Sequence, residues 1–423
     1  MPVLETLSFW PTLPVVVEYG GSPASNPPVP EDEDNIVAAL KQSDRVRSIS
    51  LTVTKTLLEK LSTIWRPFSE LEDLVLLCGE DVPLTLSSTV WCGARLRSLH
   101  LTRATIFALP QLLFLSMGLV DLQLHEISDV GYITPEAFAS ALSGMSHLRT
   151  LSLHFLSSAP YRDFAGFKLP PPNERVTLLS LKKLKYRGTR EYLDGLAARI
   201  DAPRLGNIDI DITFFSQPPS FVLPQTYQFI NRIAMQKSHR RADILFSENV
   251  VFISFTQSES PTCVELQVSC KSFSQQISHL AWICKCLYPL LPGIEHLRVC
   301  ATRNQSGHDY MGNRLDRQEW QNLLWLFKDT KWAYIACGVS TDTIISLLRS
   351  RQRLKLFPAL HKLCIPNPRW QEAKQEAVES LIHSRILSGH SIAVEYERLR
   401  INELHGNGTA FLQRQFLLLT NAL

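Results

Sequence analysis

The chain has little net charge, no long apolar run, no disulfide framework and no glycine-rich phosphate loop. Each shortage removes a class of protein. Lys and Arg number 43 against 40 Asp and Glu, a formal net charge of +3, whereas a strong nucleic-acid binder concentrates basic residues on one face. The most apolar window, Ile106–Val120, is interrupted by Pro110, Gln111 and Gly118. That is too short for a spanning helix, which takes about 20 apolar residues, so no membrane partner is expected. Met1–Phe9 carries Glu5 and lacks the basic start and apolar run of a secretory signal.

Nine cysteines, at 78, 92, 263, 270, 284, 286, 300, 337 and 364, are scattered without pattern. An odd, irregular set fits a reducing compartment, cytoplasm or nucleus, where cysteine packs as a small hydrophobe. The one tight pair, Cys284 and Cys286, lacks the second pair that a zinc site needs. The sequons at Asn304 and Asn407 carry no weight in such a compartment. The catalytic fingerprints G-x-G-x-x-G, G-x-x-x-x-G-K-[ST], H-E-x-x-H and G-x-S-x-G are missing as well. The chain is therefore read as a non-enzyme without metal or cofactor.

What is present is a repeat. Leu96-Arg97-Ser98-Leu99-His100-Leu101 sets an L-x-x-L-x-L frame that returns at Leu71-Leu74-Leu76, Leu119-Leu122-Leu124 and Leu148-Leu151-Leu153. Looser copies are Val46-Ile49-Leu51, Leu181-Leu184-Tyr186 and Leu205-Ile208-Ile210. Successive starts lie 25, 25, 23, 29, 33 and 24 residues apart, which matches the leucine-rich repeat period of about 20–29 residues. Strand side chains alternate, so the fourth and sixth residues of the frame face a core and the third, fifth and seventh face away from it. One repeat cannot bury its apolar face alone; stacked neighbours can. The expected fold is α/β, an irregular, ribonuclease-inhibitor-like leucine-rich-repeat horseshoe solenoid with parallel strands inside and helices outside.

Residues 1–236 are assigned to this solenoid, with an exposed acidic, Pro-rich loop at 20–35 that ends in Glu31-Asp32-Glu33-Asp34. Helices are expected at Thr56–Ile64, Pro110–Ser116, Pro135–Met145, Arg190–Ile200 and Pro224–Met235. Thr134 reads as the cap of the third and Pro135 as its first residue. Residues 237–400 read as degenerate repeats, and 401–423 as a tail or cap. The frame places Ser98, His100 and Thr102 on the inner, concave face of the horseshoe, followed by Asp121, Gln123 and His125, then Thr150, Ser152 and His154. Lys183, Lys185 and Arg187 come next, then Asn207, Asp209 and Asp211. His125 and His154 share a column and are expected ~5 Å apart, one strand spacing; with no third ligand in the pattern they read as polar surface. The basic step at 183–187 lies beside the acids at 209 and 211, as cross-strand pairing or as a contact patch. A protein ligand on this face is the expected partner, with His100, Asp121, Gln123, His125, His154, Lys183, Lys185, Arg187, Asp209 and Asp211 as its candidate contacts.

Further stretches carry a resemblance: Trp10-Pro11-Thr12-Leu13-Pro14, Pro30–Ile36, Gln42–Thr54, Glu136-Ala137-Phe138-Ala139, Ala141–Met145, Lys185–Thr189 and Ile200–Leu205. Together they resemble the F-box/leucine-rich-repeat-like proteins of mushroom-forming fungi, most clearly over residues 10–215. The resemblance implies the substrate-recognition part of an SCF-type ubiquitin ligase, whose N-terminal F-box docks on a Skp-type adaptor. Here Leu13-Pro14 leads into Val15-Val16-Val17 and the chain opens in mid-repeat. Adaptor docking is thus expected only where an F-box lies upstream. The alternative is a binding scaffold unrelated to ubiquitination.

Overall fold

The computed structural model describes residues 13–20, 30–64, 66–78, 88–91, 95–103, 109–127, 132–155, 175–212, 224–234, 238–257, 263–270, 272–301, 316–335, 356–366, 372–387 and 391–397. The strand that the same frame suggests at Val3–Phe9, the longer loop that ends at Pro170-Pro171-Pro172, the helix that apolar spacing suggests at Thr343–Leu348 and the 401–423 tail lie outside them. A mostly parallel sheet of 15 strands is flanked by helices. Among the described residues, no helix is long and apolar enough to cross a membrane.

The chain divides into two compact units. The first holds residues 1–239, 249–271 and 286–290. Its strands are β1 (Val15–Tyr19), β2 (Val46–Val53), β3 (Asp73–Cys78), β4 (Ser98–Thr102), β5 (Asp121–Ile127), β6 (Thr150–Phe155), β7 (Val176–Thr177), β8 (Lys183–Gly188), β9 (Ile200–Asp201) and β10 (Asn207–Ile212). Two more, β12 (Val250–Thr256) and β13 (Cys263–Ser269), follow β11 (Arg241–Phe246) in the chain. Order across this part of the sheet is β1-β2-β3-β4-β5-β6-β8-β10-β13-β12, and β7 pairs β9 separately. All the pairings are parallel except β12–β13, which is an antiparallel hairpin. The chain past 237 therefore breaks the strand–helix rhythm: β13, not β11, lies beside β10.

The apolar frame is the core of this unit. No apolar position of the seven frames is more than 2% exposed. Burying one Leu is worth about 1.5–3 kcal/mol, so each repeat contributes only when its neighbours cover it. Backbone bonds tie the repeat starts together. The Glu72 carbonyl accepts from Arg97 and Ser98 N–H at 2.8 and 3.0 Å, and the Arg97 carbonyl accepts from Val120 and Asp121 at 2.7 and 3.0 Å. The same pattern continues through Val120, Arg149 and Lys182, so a main-chain ladder spaces the strands.

Helices cover the apolar side. Those at Lys55–Leu61 and Pro135–Leu142 open on Thr54 and Thr134, whose hydroxyls accept from Leu57 N–H at 3.1 Å and Ala137 N–H at 3.3 Å. This satisfies first-turn donors that otherwise lack partners. The acidic run is helical rather than a loop: Pro30–Leu40 is one helix. Pro fits a first turn, and acids there complement the positive end of the helix. Glu33 is only 4% exposed. Its Oε1 accepts from the Thr54 and Thr56 hydroxyls, both at 2.7 Å, and Lys60 lies 3.2 Å from Oε2.

The second unit holds residues 240–248, 272–285 and 291–423. Its strands β11, β14 (His296–Ala301), β15 (Trp332–Ile335), β16 (Lys362–Pro366) and β17 (Ala393–Glu397) pair in parallel in that order. Phe246, Phe273 and Trp320 pack together in its core.

Candidate functional site

Strand register sets the candidate residues in rows on one face. Across β4, β5, β6, β8, β10 and β13 the first row reads Ser98, Asp121, Thr150, Lys183, Asn207 and Cys263. The second reads His100, Gln123, Ser152, Lys185, Asp209 and Glu265. In the third, Thr102 pairs His125, and His154, Arg187, Asp211 and Gln267 align strand by strand. All ten candidate residues lie on this face, because the leucines and isoleucines between them are drawn into the core.

Three histidines meet at the centre. The His100 and His125 rings are edge to face with centroids 5.0 Å apart, and His154 lies 6.3 Å from His125. His125 Nε2 is 2.9 Å from Ser152 Oγ, and His100 Nε2 is 3.3 Å from Thr102 Oγ1. Local backbone irregularity sets this spacing. In β5 the register slips after Leu124, so His125 and Glu126 together face His154. Such a bulge re-aims a side chain. Glu126 sits at φ 54° and Arg103 at φ 57°, left-handed positions that cost a non-glycine residue about 1–2 kcal/mol. Their side chains form an ion pair, and Arg103 N–H donates to the His125 carbonyl at 2.9 Å, which holds both in place.

Burial governs the charge state of these rings. It pushes His125 and His154 down to about 4, helped at His125 by His100 and at His154 by Arg187. His100 is lowered by burial too. At neutral pH the trio is uncharged. Among the described residues, no group of three or more His, Cys, Asp and Glu side chains has metal-binding geometry.

The basic step pairs with the acids beside it. Lys185 Nζ is 3.4 Å from Asp209 Oδ2, and Arg187 Nε is 3.3 Å from Asp211 Oδ2. Lys185 and Arg187 remain nearly half exposed, at 46% and 45%, so each pair is worth at most about 1 kcal/mol. Asp211 is different: burial pushes it up to about 7 against the pull of Arg187. Its Oδ1 is buried without a hydrogen-bond partner among the described residues. Gln123 donates to both Asp121 oxygens at 3.2 and 3.1 Å. Lys183 is exposed and makes no ion pair with a described residue.

No protein-family model and no curated protein matches this chain. Its surface chemistry must be read from its own residues. That reading adds Cys263, Glu265 and Gln267. Cys263 Sγ lies 3.2 Å from Glu265 Oε1, and burial raises the Glu265 carboxyl. The alternation Val264-Glu265-Leu266-Gln267-Val268 signalled their phase. Their place beside β10 depends on a long-range pairing that alternation does not encode.

Proposed function

We propose that the chain is a non-enzymatic protein-binding module, an irregular leucine-rich-repeat solenoid of ribonuclease-inhibitor-like type. Its polar sheet face, centred on His125, Lys185, Arg187, Asp209 and Asp211, holds a protein ligand. The observation that carries the reading is the ordered polar face itself. Parallel strands present neutral imidazoles, cations and carboxylates in aligned rows over a close-packed apolar layer. A rigid platform of this kind loses little entropy when a partner docks, which favours affinity. Stacked repeats with a broad sheet face are a recurrent protein-binding architecture. The repeat period and the resemblance to F-box/leucine-rich-repeat-like proteins support assigning it the substrate-recognition role of an SCF-type ubiquitin ligase, inside the cell.

The first test is calorimetry and co-elution of the purified chain with a fungal Skp-type adaptor. Binding supports the ligase-receptor assignment; no binding at micromolar concentration removes adaptor docking for this chain and favours a scaffold without a ubiquitin connection. The ligand face is tested separately. Cross-linking capture from lysate is expected to recover a protein that the Lys185→Glu/Arg187→Glu variant no longer holds. Equal recovery by both chains would remove this face from recognition.

A further inference from the structure

The second unit carries a sheet face of different chemistry. Register aligns Arg241, His296, Trp332 and Lys362 in one row and Asp243, Arg298, Tyr334 and Cys364 in the next. These side chains stand on the side opposite the buried Leu297, Val299, Ala333 and Ile335. Trp332 meets the His296 ring edge on, with centroids 5.0 Å apart, and Lys362 Nζ lies 5.7 Å from the centre of its ring. The Arg298 guanidinium lies 5.2 Å from the centre of the Tyr334 ring. Trp, Tyr and Arg are the residues that carry most binding energy at protein interfaces, because they bring large rigid area and directed donors.

The charges on this face are unequally satisfied. Arg241 bonds Asp243 at 2.9–3.1 Å, and Lys362 reaches Glu395 at 2.7 Å. Arg298 has no such partner: among the described residues no carboxylate lies within ion-pair distance of it. The Cys300 thiol is its hydrogen-bonding neighbour and Asp243 stands opposite it across the strands, so its charge is partly compensated, while its buried Nε has no acceptor. Arg298 as a whole is only part-buried, and a carboxylate that reaches its guanidinium forms the stronger, charge-assisted kind of hydrogen bond.

We propose that this face binds an acidic peptide segment of a partner protein. A carboxylate of the segment pairs with Arg298, and an adjacent apolar side chain packs on Trp332 and Tyr334. Charge decides the sign of the partner. A basic segment would meet Arg241, Arg298 and Lys362 and find Asp243 and Glu395 already engaged.

The test pans a display library of random short peptides against the full chain and against its Arg298→Ala variant, with thermal melting to confirm that both fold. Enriched peptides are expected to carry Asp or Glu next to an aromatic or aliphatic residue. For a synthetic peptide of the enriched sequence, Arg298→Ala and Trp332→Ala should each raise Kd roughly tenfold or more. Arg298→Lys should lose most of the affinity while keeping the charge, since a point charge cannot form the two-pronged bond. Lys185→Ala, in the first unit, should leave it unchanged. No enrichment, enriched peptides without an acidic residue, or binding indifferent to Arg298→Ala would each overturn the proposal. So would tighter, Arg298-dependent binding of a fluorescein-labelled single-stranded oligonucleotide, which would reassign the face to phosphate.

Discussion

Buried histidines and a buried aspartate on the polar face push stability in opposite directions as pH changes. His125 and His154 are held down at about 4, while in the unfolded chain they return to about 6.5. Between those values the unfolded chain takes up protons that the folded chain refuses, so stability rises with pH. Asp211 works against them. Raised from 3.8 to about 7, it keeps a proton in the folded chain that the unfolded chain has released, so its contribution falls as pH rises over that range. His100 is lowered as well and Glu265 raised, so three imidazoles stand against two carboxyls on this face and leave a net gain. The melting temperature of the wild type is expected to climb from about pH 4 to 6.5. His125→Asn with His154→Asn should abolish the climb, and Asp211→Asn should steepen it. Identical pH–melting curves for all three proteins would show that burial does not set these charge states. A second residue-scale constraint is steric. A Cβ at Gly188 would sit 2.8 Å from Tyr186 Oη and 3.0 Å from Phe155 Cδ2, and that hydroxyl already donates to the Thr189 carbonyl at 2.6 Å. Gly188→Ala should cost about 1–3 kcal/mol of unfolding free energy in urea titration, as overpacking does.

Elements in this protein are fixed partly by their neighbours. The helix Pro224–Ala234 takes its N-terminal cap from the helix before it. Asp194 Oδ1 accepts from the Gln225 and Thr226 N–H groups at 3.0 and 2.8 Å and from the Thr226 hydroxyl at 3.1 Å. Asp194→Ala should destabilise by about 1–2 kcal/mol, the usual cost of a lost cap, with Asp194→Asn losing less; equal stability of all three proteins in urea would sink the capping role. Local pattern located that helix and those at Pro135–Leu142 and Arg190–Ala197 within a few residues, because apolar spacing, Thr caps and Pro at the first turn are local chemistry. The Asp194 cap was not legible, since it joins residues 31 and 32 apart in the chain. Neither was the role of Glu33. A run of four acids reads as solvated surface until Thr54 and Thr56, from the next repeat, are seen to bind one of them. The β12–β13 hairpin escaped for the same reason. Alternation marks each strand and its phase, yet antiparallel pairing and insertion beside β10 depend on contacts that period alone does not specify.

At the scale of the whole molecule, the question is whether the polar rows serve folding or recognition. The rows were legible because a period-two strand forces every second residue to one face once the leucines are buried. Which row members touch was legible only where the frame was regular. Lys185 with Asp209 and Arg187 with Asp211 followed from simple alignment, whereas the bulge at His125 and Glu126 shifted the histidine spacing to 6.3 Å. Charge swapping separates the two roles. In a Lys185→Asp/Asp209→Lys chain the cross-strand attraction is kept while the field presented to a ligand is inverted at that point. A half-exposed pair contributes at most about 1 kcal/mol in either orientation, so the melting temperature should stay within about 4 °C of the wild type. Capture of the protein ligand should nevertheless fail, because like charges brought together across an interface cost several kcal/mol. A swapped chain that melts normally and still captures the ligand would confine the pair to holding neighbouring strands together. One that melts normally and captures nothing would place recognition on the charge pattern, separate from the fold that carries it.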